Sequence, residues 1–498
     1  MDPNPLALAR LLIPKIPFIL RTLLTNRLGW SPCSDKQDAQ TEIVVEIVRS
    51  MFRSQKPVGE LQAGTTRDPG IKGAVWIAKV ACEVSDTDSN FVRDLVMRAV
   101  KELGDATERI DLPELNDVGV DGEWTGYRAG VAKNAPRPVL AGGEKEHYTS
   151  LMKETTTPVT ILYFHGGAYF LLDPCSHRAL TSGLAKRTGG RCFSVRYRLA
   201  PRHAFPAQLI DALTAYLYLL SPPPDAFHDP IPASHIVFAG DSAGGNLAFA
   251  LALLLLTLRR MGTNSIPFHG RDVPLDLPAG ISGNSPWLDI GRCMPSINNN
   301  AKYDYLDPPA PSGLPIRSPA PDHLWPATPP RAEIFCGATL LCHPLVAPLA
   351  ATKDMWSGLP PVFICVGSGE GLEDEGTVVA RRIWEVGGVV DFVLWEGQPH
   401  CFAMIFPTTI AGKECLGLWA DFCRGVVVEP QTVRRTDSGR FGRAFAREKV
   451  LFERIGIEGM GVEDGVVEGR MREMKRVAVE REEEDVREFE RGMGKSRL

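Results

Sequence analysis

Charge of one sign is what this sequence most plainly lacks. Its 55 Lys and Arg stand against 60 Asp and Glu, a net charge of −5 over 498 residues. So small an imbalance leaves nucleic acid no electrostatic footprint, and no such partner is expected. A cysteine framework is lacking as well. The eleven cysteines are scattered, and the closest pair, Cys336 and Cys342, has no C-x-x-C partner. An odd, unpatterned set excludes a zinc ribbon and a disulfide scaffold, and is expected of reduced thiols in a cytosol-facing protein. No internal repeats appear.

A clean secretory signal is missing too. Leu6 to Leu24 is apolar but interrupted by Arg10, Pro14, Lys15, Pro17 and Arg21. No unbroken apolar stretch precedes a cleavage site, and a spanning helix would carry charge at mid-depth. From Met1 to Arg27 the charged residues are Arg10, Lys15, Arg21 and Arg27 against Asp2 alone. Two readings stand. Residues 6–24 lie in a membrane interface, which places the protein on the cytosolic face of an internal membrane such as the endoplasmic reticulum. Or they form a helix closing over the core of a cytoplasmic protein.

What is present is ordinary globular material, 44% apolar, enough for a sizeable core. After the segment 1–34, residues 35–117 read as a helical N-terminal or cap region. Ile43, Ile47 and Val48, then Phe91, Leu95, Val96, Val100 and Leu103, recur at helical spacing. From about Val118 to Val428 short apolar runs alternate with helical stretches. Strands are expected at 159–164, 192–197, 235–239, 280–287, 362–366 and 392–395, with helices at 205–220, 243–259 and 381–386. That alternation means βαβ units and a mostly parallel α/β sheet flanked by helices. Residues 298–361, rich in proline, interrupt the rhythm and read as an insertion, a lid or substrate pocket. Residues 429–498 read as a charged, flexible tail, because EREEEDVREFER (480–491) offers only Val486 and Phe489 as apolar positions.

The chemistry concentrates in two motifs. Gly240-Asp241-Ser242-Ala243-Gly244 is a G-x-S-x-G between a strand and an apolar helix, the context in which a serine is presented on a sharp turn. There the N–H of Ala243 points to where an oxyanion would form. Upstream, His165-Gly166-Gly167-Ala168 follows a strand. Its glycines bring bare N–H groups of Gly166 and Gly167 close to a substrate carbonyl, while His165 is expected to anchor the loop.

Taken together, YFHGGAYFLLDPCSHR (163–178), YRLAP (197–201) and GDSAGGNLA (240–248) resemble the hormone-sensitive-lipase-like branch of the α/β-hydrolase fold, particularly its fungal esterases. The resemblance runs from about Trp124 to Phe406 and departs at Ala168, where a third glycine is more usual. It implies a serine esterase with Ser242 as nucleophile, acting on a small-molecule carboxylic ester, with short acyl or acetyl groups on a hydrophobic alcohol. In chain order the acid and then the base follow the serine. The base is His400, after the last strand, or less suitably His343 in the insertion. The carboxylates after strand 362–366 are Glu370, Glu373, Asp374 and Glu375. Aligned on the family pattern Asp-x-Leu-x-Asp-Glu, the acid is Glu370, with Asp374 as alternative. No metal or organic cofactor is implied. Competing readings are a serine peptidase or amidase, which uses the same elbow, and a non-catalytic ligand-binding protein. The gibberellin receptor is similar to this branch but lacks the triad histidine. Oligomeric state is left open.

Overall fold

The computed structural model describes residues 13–53, 56–105, 108, 119–309, 319–445 and 449–496. The chain opens with α1 (Ile16–Arg27), α2 (Ala39–Phe52) and α3 (Val58–Thr65). Pro17 occupies the first turn of α1, where its missing N–H would have had no partner in any case, so the prolines start this helix rather than kink it. Asp38 caps α2 by accepting from Thr41 N–H.

Next comes a strand where helix was expected. β1 (Val75–Glu83) pairs antiparallel with β2 (Gly119–Tyr127) over its full length, Val75 opposite Tyr127 and Glu83 opposite Gly119. The sheet therefore begins at residue 75, and the expected boundary near 118 falls between two paired strands. Val75, Ile77 and Val80 turn inward while Trp76 and Lys79 are less buried, an approximate alternation suited to an edge strand. Between them lies α4 (Asp86–Leu103), capped by Ser85, with Asp86 and Asp88 in its first turn.

From α5 (Gly143–Glu154) the alternation is regular: β3 (Thr160–Phe164), α6 (Pro174–Thr188), β4 (Arg191–Val195), α7 (Ala207–Leu220), β5 (Ile236–Asp241) and α8 (Ala243–Arg260). A separate hairpin, β6 (Ser265–Phe268) with β7 (Arg271–Pro274), precedes β8 (Gly280–Asn284). Then follow α9 (Ser296–Asn299), β9 (Val362–Gly367), α10 (Glu373–Glu385), β10 (Val390–Trp395), α11 (Phe402–Ile405) and α12 (Ile410–Val428). The ten-stranded sheet has the order β1-β2-β4-β3-β5-β8-β9-β10 and then two further strands. Within it β4, β3, β5, β8, β9 and β10 are mutually parallel. β3, β5, β8 and β9 are buried along their whole length, as two-sided helix cover requires. Helix α8 is long and apolar enough to cross a membrane, but 89% of that stretch is buried inside the fold; it is the core helix behind the elbow.

The structure redraws two domain boundaries. The described part of 298–361 is an insertion between β8 and β9 that contributes buried residues, among them Phe335, Leu340, Leu341, Leu345, Val346 and Leu349, and brings Tyr305 beside His400; residues 310–318 lie outside the described residues. Residues 429–498 do not form a flexible tail. β11 (Ser438–Phe445) adds parallel to β10, and β12 (Lys449–Gly456) returns antiparallel to it. Helix α13 (Asp464–Ser496) then docks through Val467, Met471, Met474 and Ala478. These recur at i, i+4, i+7 and i+11, one helical stripe, and they lie upstream of the charged stretch 480–491. Arg381 and Arg382 of α10 both donate to Asp464 at the start of α13, clamping it.

Candidate active site

Parallel strands of this kind present their carboxyl ends to one crevice, and the candidate residues gather there. At the end of β5 the chain reverses into α8 through Ser242, whose φ of 52° and ψ of −121° are strained for a non-glycine residue. The turn is possible because its neighbours are glycines. A Cβ on Gly240 would sit 2.3 Å from the carbonyl carbon of Gly244, and one on Gly244 would sit 2.0 Å from the carbonyl oxygen of Phe164. Ser242 N–H donates to Asn284 O (3.1 Å), tying the elbow to β8.

The serine hydroxyl lies 2.9 Å from His400 Nε2. His400 stands on the loop after β10, almost wholly buried. Burial pushes its imidazole down to about 4, opposed by the Asp241 charge, so the ring is neutral at neutral pH. With Nε2 accepting from Ser242, the ring proton falls on Nδ1, which faces Glu370 Oε2 at 3.8 Å. That exceeds a hydrogen bond, and among the described residues neither His400 Nδ1 nor Glu370 Oε1 has a hydrogen-bond partner. Such contacts commonly tighten only when substrate is bound. Glu370 is fully buried, which pushes its carboxyl well above the usual range, while a hydrogen bond from Ser285 acts the other way.

Two residues that the sequence did not single out hold this pair. Ser285 Oγ donates to Glu370 Oε2 (2.6 Å) and accepts from Cys401 N–H (3.0 Å), so one hydroxyl joins the acid to the residue after the base. Asp304 does the same for the two loops. Its carboxylate accepts from Gly371 N–H (2.7 Å) and His400 N–H (3.1 Å). The only sequence signal for Ser285 was its place at the carboxyl end of a parallel strand; Asp304 sits in the proline-rich stretch and gave none.

The other candidates lie elsewhere. His343 is fully buried, contacting Val100 O through Nε2 and accepting from Leu345 N–H through Nδ1. Asp374 accepts from Ser296 N–H, Glu373 from Asn300, and Glu375 from Leu288 N–H. Of the four carboxylates, Glu370 alone faces His400.

On the other side of Ser242 runs the loop after β3. Its fixed point is Asp241, which receives Tyr163 O–H and Gly166 N–H (3.2 Å) and pairs with His177 Nε2 at 3.2 Å. Burial disfavours the Asp241 carboxylate, but the His177 charge and the hydrogen bonds outweigh it and hold its pKa down. This corrects one expectation: Gly166 N–H is committed to Asp241 and is not presented to substrate. Among the described residues no hydrogen bond engages the N–H of Gly167 or Ala168, and Ala243, first residue of α8, has no intrahelical acceptor for its N–H. Ala168 has φ 52°, a bend that continues the turn begun at Gly167. His165 stacks on Tyr197 at 4.2 Å and contacts Gly166 O through Nδ1. A cleft of about 1100 Å³ flanks the loop, lined by His165, Asp173, Arg196 and Arg198 among others; both arginines are paired there, with Asp173 and Asp211.

A serine on a strained elbow, a neutral histidine in contact with it and unengaged N–H groups alongside can deprotonate a hydroxyl and hold a negative oxygen. Residues 161–404 match the family described as the alpha/beta hydrolase fold. The chain is 32% identical over 266 residues to an acetyl-hydrolase of Streptomyces hygroscopicus, covering 53% of this chain and 75% of that protein. The chain belongs to the α/β-hydrolase family. This α/β-hydrolase is also similar to an esterase of Acinetobacter venetianus, 29% identical over 287 residues, covering 57% of this chain and 80% of that protein. A solved hormone-sensitive lipase from a metagenome library is 24% identical, with a TM-score of 0.49 covering 79% of this chain and 99% of that one.

Proposed function

We propose that this α/β-hydrolase is a serine esterase that cleaves carboxylic esters through an acyl-enzyme, with Ser242 as nucleophile, His400 as base and Glu370 as the orienting acid. The observation that carries the assignment is the 2.9 Å contact between Ser242 Oγ and His400 Nε2 at the elbow. As Oγ attacks the ester carbonyl carbon, its proton passes to His400 Nε2. The oxygen of the tetrahedral intermediate rests on the N–H groups of Gly167, Ala168 and Ala243. The imidazolium then protonates the departing alcohol, and a water, activated by the same histidine, releases the acid. Glu370 stabilises the imidazolium through Nδ1.

The substrate class we favour is a short acyl or acetyl ester of a hydrophobic alcohol. The name of the acetyl-hydrolase relative supports it, as does the motif resemblance to the hormone-sensitive-lipase-like branch. The narrower resemblance to fungal esterases rests on those motifs alone, since the two relatives named above are bacterial. The contact of His400 with Ser242 counts against a non-catalytic ligand-binding protein. All eleven cysteines are free, in keeping with the reducing, cytosol-facing placement we assign.

A graded series of p-nitrophenyl esters, with fluorophosphonate labelling, tests the reading. Wild type is expected to label and to turn over short esters fastest. Ser242→Ala should keep its fold and lose label and turnover by several orders of magnitude. Turnover of Ser242→Ala within about tenfold of wild type would sink the assignment. Labelling without ester turnover, but with amide turnover, would favour a peptidase or amidase.

A further inference from the structure

Helix α1 shows an apolar stripe to solvent. The side chain that α1 buries is Thr22, and Asn26 reaches inward to Gln37 O and the Glu42 carboxylate. Phe18, Ile19 and Leu23 are half-buried, but a second apolar set faces the other way. Ile13, Ile16, Leu20, Leu24 and Leu28 are each between 47% and 62% exposed, and Trp30 just beyond is 74% exposed. Steps of three and four residues place the five aliphatic side chains on one face. An amphipathic helix of a soluble protein keeps its outer face polar.

The stripe does not end with the helix. Lys15 Nζ donates to Ser50 Oγ (2.8 Å), which sets the start of α1 beside the end of α2, where Met51 and Phe52 are both more than half exposed. Phe52 stacks on Tyr305 (ring centroids 5.5 Å apart), and Tyr305 lies 5.8 Å from the His400 ring. A chain of ring contacts thus runs from the exposed end of α2 through the buried Tyr305 to the active-site histidine. Charge accompanies the stripe. Between Ile13 and Trp30 the charged residues are Lys15, Arg21 and Arg27, with no acidic residue, and Arg21 and Arg27 are exposed. On the adjoining helix the nearest carboxylates are engaged, Glu42 with Asn26 and Ser31, and Glu46 with Arg49.

We propose that α1, continued by Met51 and Phe52, is a docking surface for an anionic lipid bilayer that seats the active site against the membrane. The apolar stripe enters the boundary between headgroups and acyl chains, and the flanking arginines meet lipid phosphates. Phe52 and Tyr305 then form an apolar path by which a lipid-dissolved ester reaches Ser242 without crossing water. Only this last point rests on the esterase reading; the docking itself does not.

Co-sedimentation of the full-length protein with vesicles of phosphatidylcholine, with and without phosphatidylserine, tests it, together with Leu20→Ser/Leu24→Ser and Arg21→Glu/Arg27→Glu. Turnover of a water-soluble p-nitrophenyl ester is measured on the same samples, and sedimentation velocity without lipid gives the oligomeric state. Wild type is expected to bind the phosphatidylserine vesicles more tightly than the neutral ones. Each double variant should weaken that binding at least about tenfold, leaving soluble-ester turnover within about twofold. Failure of wild type to bind either vesicle overturns the proposal. If such a protein is a dimer, the stripe is covered by a second copy; if a monomer, it serves no bilayer. Equal binding by the Leu20→Ser/Leu24→Ser variant overturns it as well. Loss of ester turnover in wild type would instead count against the esterase reading and leave the lipid result standing.

Discussion

Replacing Ser285 by alanine removes one oxygen that serves two partners, and its effect can be worked out from the structure. Glu370 loses its one side-chain donor (2.6 Å) and Cys401 N–H loses its acceptor (3.0 Å). A hydrogen bond to a charged group contributes about 1.5–3 kcal/mol, and an orphaned buried N–H costs about 1–3 kcal/mol. The summed loss of stability is therefore about 2–4 kcal/mol, below the simple sum because Cys401 can relax. For catalysis, what matters is the part of the first bond that is stronger when His400 is an imidazolium. If that is about half to nine-tenths of it, about 0.8–2.7 kcal/mol, kcat falls about 4- to 100-fold. KM should change less than about threefold, since the hydroxyl points at the acid and not at the ester. The donor favours the ionised carboxyl of Glu370. Without it the Glu370–His400 pair binds its proton more readily, and the acid limb of the kcat profile moves to higher pH. Ser368→Ala is the control, for Ser368 Oγ accepts from Gly397 N–H on the neighbouring loop (3.0 Å). It should lose stability without the kcat loss or the moved limb. A Ser285→Ala enzyme that is folded, with kcat within about twofold of wild type and an unmoved limb, would refute the reasoning.

Other perturbations separate the remaining roles. Glu370→Gln should lower kcat about 10²- to 10⁴-fold, whereas Asp374→Asn, whose carboxylate accepts from Ser296 N–H (2.7 Å), should leave kcat nearly unchanged; the reverse order in a steady-state assay would move the acid to Asp374. Asp304→Asn turns one acceptor toward a donor where Gly371 and His400 N–H now converge, and should lower both kcat and the thermal midpoint, by about 1–3 kcal/mol in stability on a denaturant titration. His177→Phe strands a buried Asp241 charge and should cost about 3–5 kcal/mol. The pH dependence follows from the same pair. Asp241 raises the His177 pKa above 6.5 despite burial, so that share of stability is complete below pH 6.5 and is lost as pH rises through the raised value. The Asp241 share, with its pKa held below 3.8, is lost only as pH falls through that value. Thermal melts across pH should show the wild-type advantage over His177→Phe shrinking on the alkaline side. Met474→Ala should destabilise by about 2–5 kcal/mol with kcat retained, because Met474 packs against Gly291 and not against a member of the triad.

The parallel strands were legible because they are buried on both faces and read as plain apolar runs between helical stretches. The elbow was legible because backbone geometry forces glycine at 240 and 244. β1 was not: its inward residues, Val75, Ile77 and Val80, do not keep a strict two-residue period, and amphipathic helices surround it. The C-terminal strands escaped because β11 is rich in arginine and glycine, and its place was fixed by the open edge of β10 rather than by its own pattern. For α13 the docking stripe is present in the sequence, but the charged stretch 480–491 that follows it dominates the composition of this end of the chain. In the active site, side-chain chemistry identified Ser242, His400 and Glu370. The commitment of Gly166 N–H to Asp241 depends on a contact across 75 residues, which no local motif records.

The C-terminal hairpin and α13 bear on how this protein is born. Residues 438–496 supply the last two strands of the sheet and the helix whose methionines cover the segment around Gly291 and Cys342. A ribosome makes those residues after Ser242, Glu370 and His400. Until they are made, the free edge of β10 and the segment around Gly291 and Cys342 have no cover. The nascent chain therefore carries its nucleophile, acid and base well before it can close its own core. Maturation of this enzyme waits on the synthesis of residues 438–496, and chaperone demand should peak in that interval.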